Sequence, residues 1–253
     1  MSTIAATEST RRTVELALRG RRVDVRGRTF QALLLLTLLI SLGVLLVLLL
    51  TTWNTAQPVF TERGGDFVRS DVSSLASRAG VWQGIVGSLI LTGFVVVAAL
   101  PLGVAAAIYL QEYARDTALN RLLIANIRNL AGVPSVVYGI LGLVVFAQAL
   151  RGITGGLSYI SGGLTLAVLV IPIVILVTME ALRAVPASIR EAAYGVGATR
   201  WEVVRSHVLP YAAPGVFTGA ILSLARAFGE TAPLLLVGAV TGYISTGGDR
   251  GLL

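Results

Sequence analysis

The 253-residue chain contains no cysteine, no lysine and a single histidine. The missing cysteine excludes disulfides, thiolate metal sites and cysteine nucleophiles together. One histidine leaves no His-rich metal cluster, and without lysine the usual Gly-x-x-x-x-Gly-Lys-Ser/Thr phosphate-cradling loop is absent. Charge is scarce as well: 13 % of residues are charged, where soluble domains carry about 25 %. What is abundant is apolar residues, 55 % of the chain, with a mean hydropathy of +0.82. The net charge of +7 comes from 20 arginines against 13 acidic residues. The composition is that of an integral membrane protein, and neither catalytic residues nor metal ligands are expected.

A charge at mid-bilayer costs about 2.5–3.5 kcal/mol even on the lenient insertion scale, so charges mark the ends of spans. Charge-free stretches separate Arg28 from Glu62, Arg78 from Glu112, Arg128 from Arg151 and Arg151 from Glu180. Each exceeds the roughly 20 residues needed to cross the hydrocarbon layer. Spans are expected over about 30–52, 82–110, 129–150 and 159–180, with a fifth over 213–241 that holds Arg226 and Glu230. Residues 1–29 form a basic tail and 182–212 a long connection. The first span is too long for a signal-peptide core and reads as an uncleaved helix. Fourteen arginines lie in the tail and the connections near 111–128 and 182–212, against five on the other side. The N-terminus is therefore expected in the cytoplasm.

Within the spans, Leu100-Pro101-Leu102-Gly103, Gly132-Val133-Pro134-Ser135 and Pro172 are expected to kink or interrupt helices. Ala99, Gly103 and Ala107 share one face in the spacing that permits close helix approach.

Arg226 and Glu230 lie near the midpoint of the fifth span, at i and i+4. A surface pair of this kind gains about 0.2–0.5 kcal/mol, and acid-first is the better order. The insertion cost is roughly ten times larger, so helix stability does not explain the pair. Two explanations remain, a bundle-holding ion pair and a polar site on a transport path. The planar donor fork of arginine suits an oxyanion, and Pro233 would free the carbonyl of Gly229 beside the pair.

In the 182–212 connection, Glu191 to Val196 is helix-compatible, Gly197 permits a left-handed turn, and Thr199 is positioned to cap a second short helix opening at Arg200. Two short amphipathic helices are expected, exposing Tyr194, Trp201 and Val204. They form either a helix pair lying on lipid or a docking knob for a partner.

Glu191-Ala192-Ala193, Gly197 and Leu209-Pro210 stand at the spacing of the EAA motif and resemble the EAA loop of ABC-importer permeases. His207 stands where that family usually has an aliphatic residue. The stretches Leu130 to Gly139 and Ala225 to Leu234 resemble signatures of the phosphate-transport permease pair. The Thr231-Ala232-Pro233 ending is similar to its PstA-type member. The resemblance covers roughly residues 80–248. It implies an all-α polytopic transmembrane helix bundle of the MetI-like fold, with six spans where five are visible here. The sequence is then an incomplete permease or a member without its last helix.

The implied function is half of the passage of an inorganic phosphate importer in the bacterial inner membrane. Implied partners are a PstC-type permease, a dimer of ATP-binding subunits, an extracytoplasmic phosphate-binding protein and membrane lipid, with no nucleic acid. No cofactor is bound directly, and ATP is used by the partner ATPase. The resemblance places Glu191, Ala192, Ala193, Gly197, Trp201, Leu209 and Pro210 at the ATPase-subunit docking surface. Arg226 is the first candidate for a phosphate contact with Glu230 as its partner, and Ser135 and Tyr138 are candidates for the pathway wall. Importers of sulfate or molybdate are the alternative, and a secondary transporter or channel is a further one.

Overall fold

The computed structural model describes residues 25–238 apart from 74 and 76. The tail up to residue 24, the last three residues of the 213–241 span and Arg250 lie outside the described residues. The chain divides at Gly64 into two units.

The described residues of the first unit form a single helix. It belongs to α1, Val25–Arg69, which runs past both ends of the expected 30–52 span and is interrupted at Gly64 (φ 44°). None of its residues is buried. Leucine, valine and isoleucine are exposed on every side from Leu33 to Leu50. A helix apolar all round has its match in lipid, where backbone groups are satisfied internally.

The second unit is a helix bundle built around one buried helix. Its elements begin with α2 (Trp82–Tyr113), α3 (Ala118–Ala131), α4 (Ser135–Ala149), the single turn α5 (Arg151–Thr154) and α6 (Tyr159–Arg183). These are followed by α7 (Ala187–Gly195), α8 (Arg200–Gly229) and α9 (Ala232–Val237). Among the described residues, α1, α2, α6 and α8 are each long and apolar enough to cross a membrane, and the bent pair α3 and α4 brings the number to five.

The central helix α6 is buried on most of its circumference, and α2, α4 and α8 pack against it. Leu166, Leu169, Val170 and Val174 of α6 meet Leu91, Val95 and Ala99 of α2, Tyr138 of α4 and Ala227 of α8. Small residues make this approach possible. A Cβ on Gly103 would stand 2.6 Å from Val174 Cγ1 of α6, and Ala99 and Ala107 on the same face of α2 are fully buried. Hydroxyls inside the bundle close on their own helix: Thr165 donates to the Ser161 carbonyl and Ser223 to the Gly219 carbonyl.

Several expected breaks come out differently. Pro101 does not break α2. A π turn over Val95–Ala99 precedes it, with the Leu100 N–H reaching the Val95 carbonyl, and the widened turn takes up the proline. The helix then continues past 110, ending in a second π turn over Tyr109–Tyr113. Pro172 also sits inside an unbroken α6.

The third expected span, 129–150, is not one helix. Residues up to Ala131 belong to α3, and α4 leaves at 97° after Gly132, Val133 and Pro134. Pro134 lacks an N–H and bars Val133 from helical geometry, so the chain turns there. The expected 213–241 helix is broken too. It ends at Gly229, Glu230 is extended (φ −83°, ψ 99°), and α9 starts separately at Ala232.

Candidate functional site: the connection after α6 and an ion pair at the end of α8

The connection after α6 turns at Val185-Pro186 into α7. Gly197 follows with φ +85°, the left-handed conformation expected for it. Its N–H donates to the Tyr194 carbonyl, and the Ala198 N–H to that of Ala193, which closes the end of α7. Thr199 caps α8 through a capping box. The Glu202 N–H donates to Thr199 Oγ1 at 3.4 Å, and the Thr199 N–H to Glu202 Oε2 at 2.7 Å. Thr199→Ala is expected to lower stability by about 1 kcal/mol, read as a lower unfolding midpoint, while Thr199→Asp retains the cap.

The expected second short helix is instead the first part of α8, which runs without a break from Arg200 to Gly229. Its early turns pack inward because Val203, Val204 and Val208 are buried. Val204 is therefore core, not the exposed residue expected of it.

The motif residues divide by face. Ala193 is buried with Leu182, Val185, Val203, Val208 and Ala212, and Leu209 packs against that cluster. Glu191, Ala192, Pro210 and Gly197 are exposed. Trp201 is 59 % exposed, Tyr194 47 % and Val196 85 %. Sequence reasoning gave Val196 no role, although an apolar residue beside a left-handed glycine is a recognisable signal for a protruding tip. His207 lies exposed in a π turn inside α8.

A second set of residues was not singled out in the sequence. Three consecutive residues at the end of α2 receive three arginines from the connection. Arg183 Nε donates to Gln111 Oε1 at 3.0 Å. Arg190 forks onto Glu112, with Nη2 to Oε1 at 2.7 Å and Nε to Oε2 at 3.3 Å. The Arg200 guanidinium stands 5.3 Å from the centre of the Tyr113 ring. Arg190 also donates to the Leu182 and Val185 carbonyls, both at 2.9 Å. Glu112 is 8 % exposed and Arg190 22 %.

Near the end of α8, Arg226 Nε lies 3.5 Å from Glu230 Oε1, with side-chain exposures of 53 % and 16 %. The helix has ended between them, so the pair spans the break and does not lie on one continuous helix face. The proline expected to free the Gly229 carbonyl instead opens α9. Ala227 and Phe228, next to Arg226 in the chain, line a cavity of about 30 Å³ with Ser88, Thr92 and Leu166, which is room for a water. Of the two other candidates, Ser135 is half-buried at the start of α4. Tyr138 is buried, and its hydroxyl donates to the Leu130 carbonyl at 2.9 Å, which ties α4 to the end of α3 across the bend.

These two sites fall inside one matched region: residues 99–250 match the profile of the family described as "Binding-protein-dependent transport system inner membrane component". The chain belongs to this family. It is a membrane-embedded, MetI-like helix bundle. A chain in the crystal structure of the inward-facing MetNI methionine ABC transporter superposes with a TM-score of 0.51 at 26 % identity, covering 63 % of this chain and 73 % of that one.

Curated family relatives include the "Probable ABC transporter permease protein YqgI" of Bacillus subtilis, 33 % identical over 69 % of this chain and 58 % of its own length. The "Phosphate transport system permease protein PstC" of Mesorhizobium japonicum is 31 % identical over 86 % of this chain and 72 % of its own. "Phosphate transport system permease protein PstA 1" of Mycobacterium tuberculosis is 37 % identical over 62 % and 51 % respectively. The chain thus spans between about half and three quarters of these relatives' lengths.

Proposed function

We propose that this chain is a permease subunit of an ATP-driven inorganic phosphate importer, forming half of the passage and coupling to a separate ATPase subunit. The observation that carries the reading is Arg226. It projects half exposed from its own bundle, held from one side by Glu230, in the last turn of a helix that carries no other charge after Arg205. A guanidinium facing hydrocarbon is costly, so it faces a companion chain or a wet passage. Its fork leaves donors free for an oxyanion. With the guanidinium turned outward and half exposed, the passage runs between this chain and a second permease rather than through one bundle.

Relatives named for phosphate transport on both sides of the permease pair support the substrate, and Thr231-Ala232-Pro233 supports the PstA-type member. The companion is then a PstC-type chain. The exposed Glu191, Val196 and Trp201 offer the surface on which an ATP-binding subunit docks, and that partner uses the ATP. A phosphate-binding protein delivers substrate from outside. The arginine asymmetry between connections supports placement in the inner membrane with the N-terminus and the 182–212 connection in the cytoplasm.

The test is ATP-dependent uptake of labelled phosphate into vesicles holding this chain with its neighbouring permease, ATPase and binding protein. Excess unlabelled sulfate serves as competitor. Uptake that resists sulfate is expected, whereas uptake abolished by sulfate would move the substrate to another oxyanion. Glu191→Arg is expected to prevent co-purification of the ATPase. If the unaltered chain retains no ATPase and still moves phosphate, a secondary transporter is the correct reading.

A further inference from the structure

The arginine cluster at the end of α2 has a geometry that stability alone does not require. A buried ion pair loses on desolvation most of what it gains by attraction, and well-packed apolar residues of similar volume commonly match or exceed it. Yet Glu112 and Arg190 are joined through two parallel contacts, and the remaining reach of Arg190 is spent on the two carbonyls that close α6. One guanidinium therefore fixes the position of three elements: its own α7, the end of α6 and the last turn of α2. A planar fork on a carboxylate sets angle as well as distance.

The contacts on either side repeat the connection. Gln111 takes Arg183 from the end of α6, and Tyr113 takes Arg200 from the start of α8. The exposed apolar tip at Val196 is carried on the same short segment as Arg190. A push on that tip moves α7, and the fork passes the movement to α2. That helix can respond, since it contains two π turns, Pro101 and a glycine contact against α6.

We propose that Arg190 and Glu112 are positioning residues, a strut through which movement of the 182–212 connection is delivered to α2 and so to the passage. The strut rests on the reading that an ATPase subunit docks on that connection, and the experiment separates the two. The chain contains no cysteine, so single spin labels at Leu102→Cys, exposed in mid-α2, and at Ser188→Cys, exposed on α7, report on the two ends. The labelled chain is reconstituted with its companion permease and ATPase and trapped with ATP and vanadate.

With the pair intact, both labels are expected to change on trapping. In Glu112→Gln, and in the apolar replacement Glu112→Leu with Arg190→Met, the α7 label still responds while the α2 label does not. Phosphate moved per ATP hydrolysed falls about tenfold, within the range of ordinary coupling energies. Co-purification of the ATPase in each variant shows that assembly survives, and the apolar replacement guards against a mere loss of folding. An α2 label that responds equally in the variants overturns the strut, as does one that never responds in the unaltered complex. Labels that behave as expected in a complex moving no phosphate would keep the strut and overturn the phosphate assignment. Failure of the unaltered chain to retain an ATPase would remove the docking reading and the strut with it.

Discussion

Arg226→Gln is expected to lower phosphate uptake about 100-fold while leaving the amount of folded chain in the membrane unchanged. The side chain is half exposed and contributes nothing to the apolar core; its neighbour Ala227 does that. The loss is therefore one of anion binding rather than folding. Inside the assembled passage, where the companion chain would shield the guanidinium and the anion from water, losing one member of such a pair costs about 2–5 kcal/mol. The lower half of that range, about 2.8 kcal/mol, corresponds to about two decades in rate or affinity. Arg226→Lys keeps the charge but replaces the planar fork with a point charge, so it should recover only part of the uptake. Glu230→Gln is expected to do less harm than Arg226→Gln, because it leaves the guanidinium in place but free to turn. The double change to glutamine decides between the two explanations of the pair. If the pair only holds the bundle, neutralising both partners restores uptake. If Arg226 meets the anion, the double variant is as defective as Arg226→Gln.

The sequence was legible where local chemistry alone sets the outcome. Charge-free stretches locate helices because the bilayer penalises ionised groups, and α6 begins and ends close to the expected 159–180. Gly197 and Thr199 were legible because a left-handed turn and a helix cap need particular residue types whatever surrounds them. Proline was a poorer guide. Pro134 marks a true 97° bend, whereas Pro101 and Pro172 sit in continuous helices. The difference lies in neighbours: a π turn before Pro101 takes up that proline, and Pro172 lies buried in α6, held straight by the helices packed around it. The Glu112–Arg190 fork was not legible because its partners stand 78 residues apart. Glu112 looked like a charge marking the end of a span, and Arg190 like one of many arginines in a basic connection. Only the packing of α2 beside α6 brings them together.

Close packing of α4 against α9 produces the other large effect. Gly139→Val is expected to lower uptake about as far as Arg226→Gln does, and to destabilise the chain as well, unlike Arg226→Gln. A Cβ at Gly139 would stand 2.8 Å from the Pro233 Cα. That atom is backbone, locked in a ring and fully buried, so it has no rotamer to yield. The helix α9 must lift away from α4 as a body. Overpacking of this kind costs about 1–3 kcal/mol, enough to lower the unfolding midpoint by ~6 °C in a chain of this size. Only Thr231 separates Glu230, on extended backbone, from α9, so lifting α9 moves the carboxylate off Arg226. A displacement of about 1 Å at a positioned group can cost 100-fold in rate. Gly93→Ala is the control, since nothing lies within 4 Å of a Cβ at that position of α2. It should leave both uptake and the midpoint intact, or raise the midpoint slightly, as alanine favours the helix. Uptake unaffected by Gly139→Val would mean that the site tolerates α9 in another position, and that the break at Glu230 serves only to end α8.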